Sequence, residues 1–344
     1  MPVKPARALL LGGVVALALI AAPALLLART TPRHLVYPGG KRFAFTIVDD
    51  TDMATLARVK PVYETLERYG LRTTKTTWVF RSNDEQHEAN RGDSLEDPDY
   101  RAFIRGLQAK GFEIALHGVR GGSSRRADTL SGLDEFRRVL GHDPKLFVNH
   151  SLNEDNLYWG QSLYDFPPYQ WLAGLFIRFP FTGHEEGSPY FWGDVARERV
   201  QFVRRFTFDD INLLAENPSF PYRLHDKPYV NYWFPTSNGN RVVEFHKLLS
   251  PENLDRLERE GGVCLVYAHL GSGSFNRKDG VPGVDPRFEE RLRELSARNG
   301  WFVPASEILE FLQRQPGWTG ELPWLERLQV DTRFLYGRVV YGHE

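Results

Sequence analysis

The chain has 344 residues, 42% of them apolar and 25% charged, the balance of an ordinary folded protein, which excludes wholesale disorder. Forty-three Lys+Arg against 44 Asp+Glu give a formal charge of −1, so the global basic excess of a nucleic-acid binder is missing and no nucleic-acid partner is expected. A single cysteine, Cys264, excludes an intramolecular disulfide framework and a Cys-rich zinc site.

In chain order, the first feature is Ala8 to Ala28, 21 positions without a charge behind Lys4 and Arg7. At about 1.5 Å per residue it is long enough to cross a hydrocarbon layer of about 30 Å. We expect residues 1–30 to form an N-terminal transmembrane anchor that holds the body outside the cytoplasm, on the periplasmic or extracellular face. The alternative is a secretory signal cleaved near Ala22-Pro23-Ala24, which would release a secreted body.

From residue 43 short β-rich runs alternate with amphipathic stretches, the signature of a mostly parallel sheet with helices outside. The pattern predicts strands at Phe43–Val48, Thr73–Phe80, Glu113–Leu116 and Lys145–Val148, separated by helices over Met53–Tyr69, Asp99–Ala109 and Leu130–Leu140. The alternation then breaks. Twelve aromatic residues fall between Tyr158 and Trp192, and residues 200–240 read as mixed strand and loop, so 151–240 is expected to be an aromatic-rich insertion. Its aromatics could fill an accessory layer, stack on a sugar chain, or touch lipid through the run Trp171–Ile177. Regularity returns at Arg241–His246, followed by a helix from Pro251 to Glu260, a strand at Val263–Ala268, a helix from Pro286 to Arg298, a strand at Trp301–Val303 and a helix at Ser306–Gln313. The tail, 316–344, is expected to pack on this body.

Several strands end in ionisable residues. Val48 leads into Asp49-Asp50, Leu116 into His117, Val148 into Asn149-His150, and Ala268 into His269. Parallel sheets and barrels collect their catalytic groups at the carboxyl ends of strands. Carboxylates and imidazoles gathered there support metal-assisted hydrolysis, with a divalent ion activating water, a carboxylate as base and a histidine as acid.

Phe45-Thr46-Ile47-Val48-Asp49-Asp50, Glu113-Ile114-Ala115-Leu116-His117-Gly118 and Leu265-Val266-Tyr267-Ala268-His269 resemble, in order and spacing, the motifs of the polysaccharide deacetylases (NodB-homology, carbohydrate esterase family 4). Trp301–Pro304 and the following helix also resemble that family's last strand and helix, so the likeness covers residues 41–313. It implies an α/β fold, a distorted, incomplete (β/α) barrel. It also implies Asp49 as catalytic base, Asp50 and His117 as metal ligands, and His269 as the acid that protonates the departing amine.

The chain departs from the family in two places. The second histidine of the family's second motif is Gly121 here, and the strand that normally presents an arginine reads Phe147-Val148-Asn149-His150-Ser151. We therefore expect His150 to supply the missing ligand to a divalent metal, zinc for a catalytic site with three protein ligands. Arg120, Asn149 and Trp159 are the candidate substrate contacts. The activity expected is removal of acyl groups, N-acetyl above all, from an envelope glycan. The alternatives are a metal-free sugar-binding relative and a scaffold that binds an envelope protein. Thr207-Phe208-Asp209-Asp210 and Leu224-His225-Asp226 imitate the first and last motifs but lack the flanking β/α alternation.

Overall fold

The computed structural model describes residues 26–30 and 35–341. Most of the predicted anchor lies outside the described residues; among those described, no helix is long and apolar enough to cross a membrane.

Eight parallel strands form the centre: β1 (Phe43–Asp49), β2 (Thr74–Thr77), β3 (Glu113–Leu116), β4 (Leu146–Phe147), β5 (Phe202–Phe208), β6 (Tyr232–Asn238), β7 (Val263–Ala268) and β8 (Gly300–Phe302). The order runs β2-β3-β4-β5-β6-β7-β1-β8, and an additional β1–β2 pairing closes seven strands into a ring. β1 makes this closure possible because its two halves have different neighbours. Phe43, Ala44 and Phe45 pair with β8, whereas Val48 and Asp49 pair with Thr74 and Lys75 of β2. The barrel expected to be incomplete therefore closes over seven strands, with β8 filling the base of the one splayed joint.

β1 is buried at every position, as a barrel strand covered on both faces must be. β2, Thr-Lys-Thr-Thr, is buried just as fully although it is polar, so its side chains need internal partners. Thr74 donates to Glu113 at 2.6 Å, Thr76 donates to the Asp49 carbonyl at 2.8 Å, and Lys75 pairs with Asp49 at 3.0 Å. The helices that begin at Pro251 and Pro286 carry side-chain caps. Ser250 and Asp285 accept from the amides of Asn253 and Arg287, and prolines occupy the first helical positions after both.

The insertion expected over 151–240 is divided by two barrel strands, β5 and β6. Both were hidden by their composition. β5 carries Arg204 and Arg205 side by side, and β6 carries Pro235 followed by Thr236 and Ser237, all of which interrupt an apolar run. Successive strand residues face opposite sides, so the two arginines serve different layers. Arg204 turns to Asp50, and Arg205 turns outward to Asp165, Asp331 and the Leu163 carbonyl. The aromatic segments 158–192 and 209–231 are the true excursions. Trp192 and Trp233 are fully buried in them and in β6, which makes much of this aromatic content core.

The tail includes a helix, Trp324–Tyr341, that lies against β5. Phe334 meets Phe206 at a ring separation of 4.4 Å, and Val330 and Phe334 are buried. Each such burial stabilises by roughly 1.5–3 kcal/mol relative to exposure. Asp331 accepts from the amides of Asp165 and Phe166 and ties this helix to the excursion after β4.

Candidate active site

The carboxyl ends of β1, β3, β4 and β7 bring together four ionisable groups: Asp52 from the loop after β1, His117 after β3, His150 after β4 and His269 after β7. Asp52 Oδ1, His117 Nε2 and His150 Nε2 lie within 4.8 Å of one another, and all three residues are buried. His117 Nε2 stands 2.8 Å and His150 Nε2 3.6 Å from Asp52 Oδ1.

The far side of each ring is held in turn. His117 Nδ1 faces the Val148 carbonyl at 3.1 Å, and His150 Nδ1 faces Asn153 Oδ1 at 3.1 Å. The Asn153 amide is itself oriented by donating to the Arg120 carbonyl. The Val148 carbonyl can only accept, so His117 carries its proton on Nδ1 and turns a bare Nε2 inward, the form in which imidazole binds a metal; His150 Nδ1 lies between Asn153 Oδ1 and the Leu152 amide at 3.4 Å, and its Nε2 also points inward. Asp52 Oδ1, His117 Nε2 and His150 Nε2 have no hydrogen-bond partner although buried. Burying such atoms unsatisfied costs about 1–3 kcal/mol each. Two imidazole nitrogens and a carboxylate oxygen converging on one buried point are a donor set able to hold a cation. One carboxylate and two imidazoles suit a divalent ion of the zinc type, and the residues present fit it.

Electrostatics follows the geometry. Burial opposes ionisation of Asp52, but the imidazoles of His150, His117 and His269 hold its carboxyl well below the usual range. Burial pushes His150 down, favouring the neutral ligand form. His269 differs: burial lowers its pKa, Asp52 beside it raises it, and the carboxylate wins. Its Nε2 lies 3.1 Å from Asp52 Oδ2 and its Nδ1 2.6 Å from Asn240 Oδ1. Two acceptors on one ring select the doubly protonated imidazolium. Asp52 thus presents one oxygen to the cation point and the other to His269.

Asp49, the last residue of β1, and Asp50 just beyond it face opposite ways. Asp49 turns to the helix layer, where Lys75, the Tyr63 hydroxyl at 2.9 Å and the Leu270 amide at 2.9 Å surround it. Burial would strip the Lys75 proton, but Asp49 beside it outweighs burial and raises the Lys75 pKa. Asp50 turns inward. Arg204 grips it with two bonds of 2.7 Å and stacks its guanidinium 4.5 Å over Tyr267, while Asp50 Oδ2 lies 3.9 Å from His117 Nε2. The expectation of Asp49 as base and Asp50 as ligand meets a different arrangement, in which Asp49 is in a sealed pair, Asp50 is beside the cluster, and Asp52 is among the imidazoles. Strand alternation is the reason, since consecutive residues cannot both point inward.

Asp52 and Arg204 are the residues that sequence reasoning missed. Asp52 sits two places beyond a conspicuous acidic pair, in the turn after β1, where strand alternation gives no signal. Arg204 carried no signal while β5 was unassigned.

Gly121 explains the missing family histidine. A Cβ there would stand 2.6 Å from the Asn90 carbonyl oxygen and 3.0 Å from Trp78, so no side chain fits. Trp78 donates to the His117 carbonyl at 2.9 Å and packs edge-on against His150 at 5.9 Å. The three expected substrate contacts are engaged as follows. Asn149 staples its loop, donating to the Leu157 carbonyl and accepting from the Leu157 amide. Arg120 lies over Phe80 at 5.1 Å. Trp159 is half-buried against the core. Asp210 binds Arg29 and Arg256, and Asp209 accepts from Asn238, so the imitating acidic pair after β5 is committed to its own surroundings.

No family model and no curated protein matches this chain. Solved structures do. A Pseudomonas aeruginosa protein described as a probable polysaccharide deacetylase aligns over 84% of this chain and 96% of its own, at 14% identity and a TM-score of 0.50. Puue allantoinase aligns over the same shares, 84% and 96%, at 13% identity and a TM-score of 0.50. The chain therefore has the barrel fold of the polysaccharide deacetylases in a divergent sequence. At these identities the likeness concerns the fold, and the two names attach different substrates to it.

Proposed function

We propose that this protein is a metal-dependent hydrolase of acyl amides, acting on an N-acetylated glycan of the cell envelope, with Asp52, His117 and His150 as metal ligands. The observation that carries this reading is the trio of buried donor atoms that converge without a hydrogen-bond partner. When bound, a divalent ion supplies a lowered water pKa and polarisation of the acyl oxygen.

The chain's own residues do the rest. Asp50, fixed by the Arg204 fork, is the group placed to take the proton of the attacking water. His269, protonated and aimed by Asn240 and Asp52, gives its proton to the departing amine. Arg204 and Asn240 act as positioning residues. Asp49 is assigned to folding rather than to proton transfer. Location on the outer side of the membrane follows in this reading from the apolar run Ala8–Ala28.

The test is metal content after zinc loading, by elemental analysis, for the wild type and for His117→Ala, His150→Ala and Asp52→Ala, beside turnover of N-acetylglucosamine oligomers. One equivalent in the wild type, lost in each variant, is expected. Asp50→Asn and His269→Gln are expected to keep the metal and lose turnover by about 10²–10⁴-fold. A folded wild type that takes up no divalent ion would overturn the assignment.

A further inference from the structure

Two segments outside the site expose large apolar side chains. In the excursion after β4, Trp171 is 69% and Phe176 81% exposed, with Leu175 and Phe179 beside them. On the terminal helix Trp324–Tyr341, Tyr336, Val339 and Val340 are exposed, and their spacing puts them on one face with Thr332. That face continues into the first segment, because the Thr332 hydroxyl meets the Tyr169 hydroxyl at 3.0 Å. The chain coming from the N-terminus meets the same helix. Leu27 and Arg29 line one cleft with Arg333, Tyr336 and Gly337, and the Arg333 guanidinium donates to the Ala28 carbonyl.

The exposed charge on the apolar stretches of these elements is basic, although the helix also carries Glu326, bound to Ser219 in its first turn. From Phe166 to Gly183 there is no acidic residue and one base, the exposed Arg178. The one acid of the helix beyond Leu328, Asp331, is fully buried and bound to backbone amides, whereas Arg338 lies at the surface beside Phe334. Exposed aromatics, aliphatics and arginine on one face are the composition of a surface that settles into an acidic headgroup layer.

We infer that the Trp171–Phe179 segment and the outer face of the terminal helix form a docking surface for an anionic phospholipid bilayer, the one that the N-terminal apolar run enters. The position of Ala28 supports this occupant over others. A segment that leaves lipid at that residue holds Tyr336 and Gly337 at the interface, within the roughly 5–10 Å to which amphipathic surfaces sink. The barrel is then fixed at two further places beside its anchor, which restrains how the site faces the envelope.

The experiment uses the full chain in vesicles of phosphatidylcholine and phosphatidylglycerol. Cys264 is fully buried, so an environment-sensitive fluorophore can be placed by Phe176→Cys, by Val339→Cys, or by Val281→Cys as an exposed control on the loop after β7. Quenching by spin-labelled lipid is expected to be several-fold stronger at 176 and 339 than at 281. It should weaken when phosphatidylglycerol is omitted, and Trp171→Ser should weaken it at 176. Equal quenching at all three positions would overturn the proposal. Labels shielded from lipid quencher but buried in step with protein concentration would assign the face to a second copy instead, and would overturn it equally.

Discussion

Asp49→Asn tests the division of labour between Asp49, the last residue of β1, and Asp50 just beyond it. Asp49 and Lys75 are both fully buried, 3.0 Å apart, and Lys75 Nζ has no other hydrogen-bond partner. Neutralising the carboxylate leaves an ammonium sealed in the layer between barrel and helices, at a cost of about 3–5 kcal/mol. For a body of this size that corresponds to a melting temperature lower by roughly 5–8 °C. Replacing both partners, Asp49→Asn with Lys75→Met, removes the stranded charge and should recover much of the loss. The assay is urea unfolding of each variant, with zinc content and turnover measured well below the midpoint. Folded Asp49→Asn is expected to keep its metal and at least a substantial fraction of wild-type turnover. Unchanged stability together with abolished turnover would refute the reasoning and return the base role to Asp49.

Four further outcomes follow from the same geometry. Arg204→Met should reduce turnover more than metal content, because Asp50 loses both of its fixed bonds; equal loss of both would show that Arg204 instead supports the ligands. Gly121→Ala should destabilise by about 1–3 kcal/mol, since its Cβ would overlap the Asn90 carbonyl, a value readable from the shift of the urea midpoint. Arg205→Met removes the cation beside the buried Asp331, while Asp165 keeps Lys227 and Arg327, and should cost about 3 kcal/mol by the same measurement. Asp155 gives a pH signature: burial raises its pKa from 3.8 to about 7. The native state then holds the proton more tightly than the unfolded chain, so this contribution to stability is complete below pH 4 and is lost as pH rises to about 7. Its full span is about 4 kcal/mol by linkage, and the wild-type minus Asp155→Asn difference in unfolding free energy, followed from pH 4 to 8, should show that decline.

The apolar periodicity of the chain determined the α/β class. It located β1, β3 and β7 to within a residue and marked strand ends as the place for chemistry, because these parallel strands, buried on both faces, are written as largely apolar runs. It was equally informative that His150 stands at a strand end while position 121 is a glycine; the structure brings His150 to His117 and closes position 121 against Asn90. What periodicity carried poorly were strands whose buried side chains are polar. β2 was found, but β5 was lost behind Arg204 and Arg205, whose partners lie far off in sequence, and β6 behind Pro235. The surroundings of Asp49, Asp50 and Asp52 were decided by tertiary structure alone. Three carboxylates within four residues are equivalent on paper. Only the closed barrel, which turns Asp49 to the helix layer and Asp50 to the interior and bends the loop after β1 so that Asp52 meets the histidines, gives one to Lys75, one to Arg204 and one to the imidazoles.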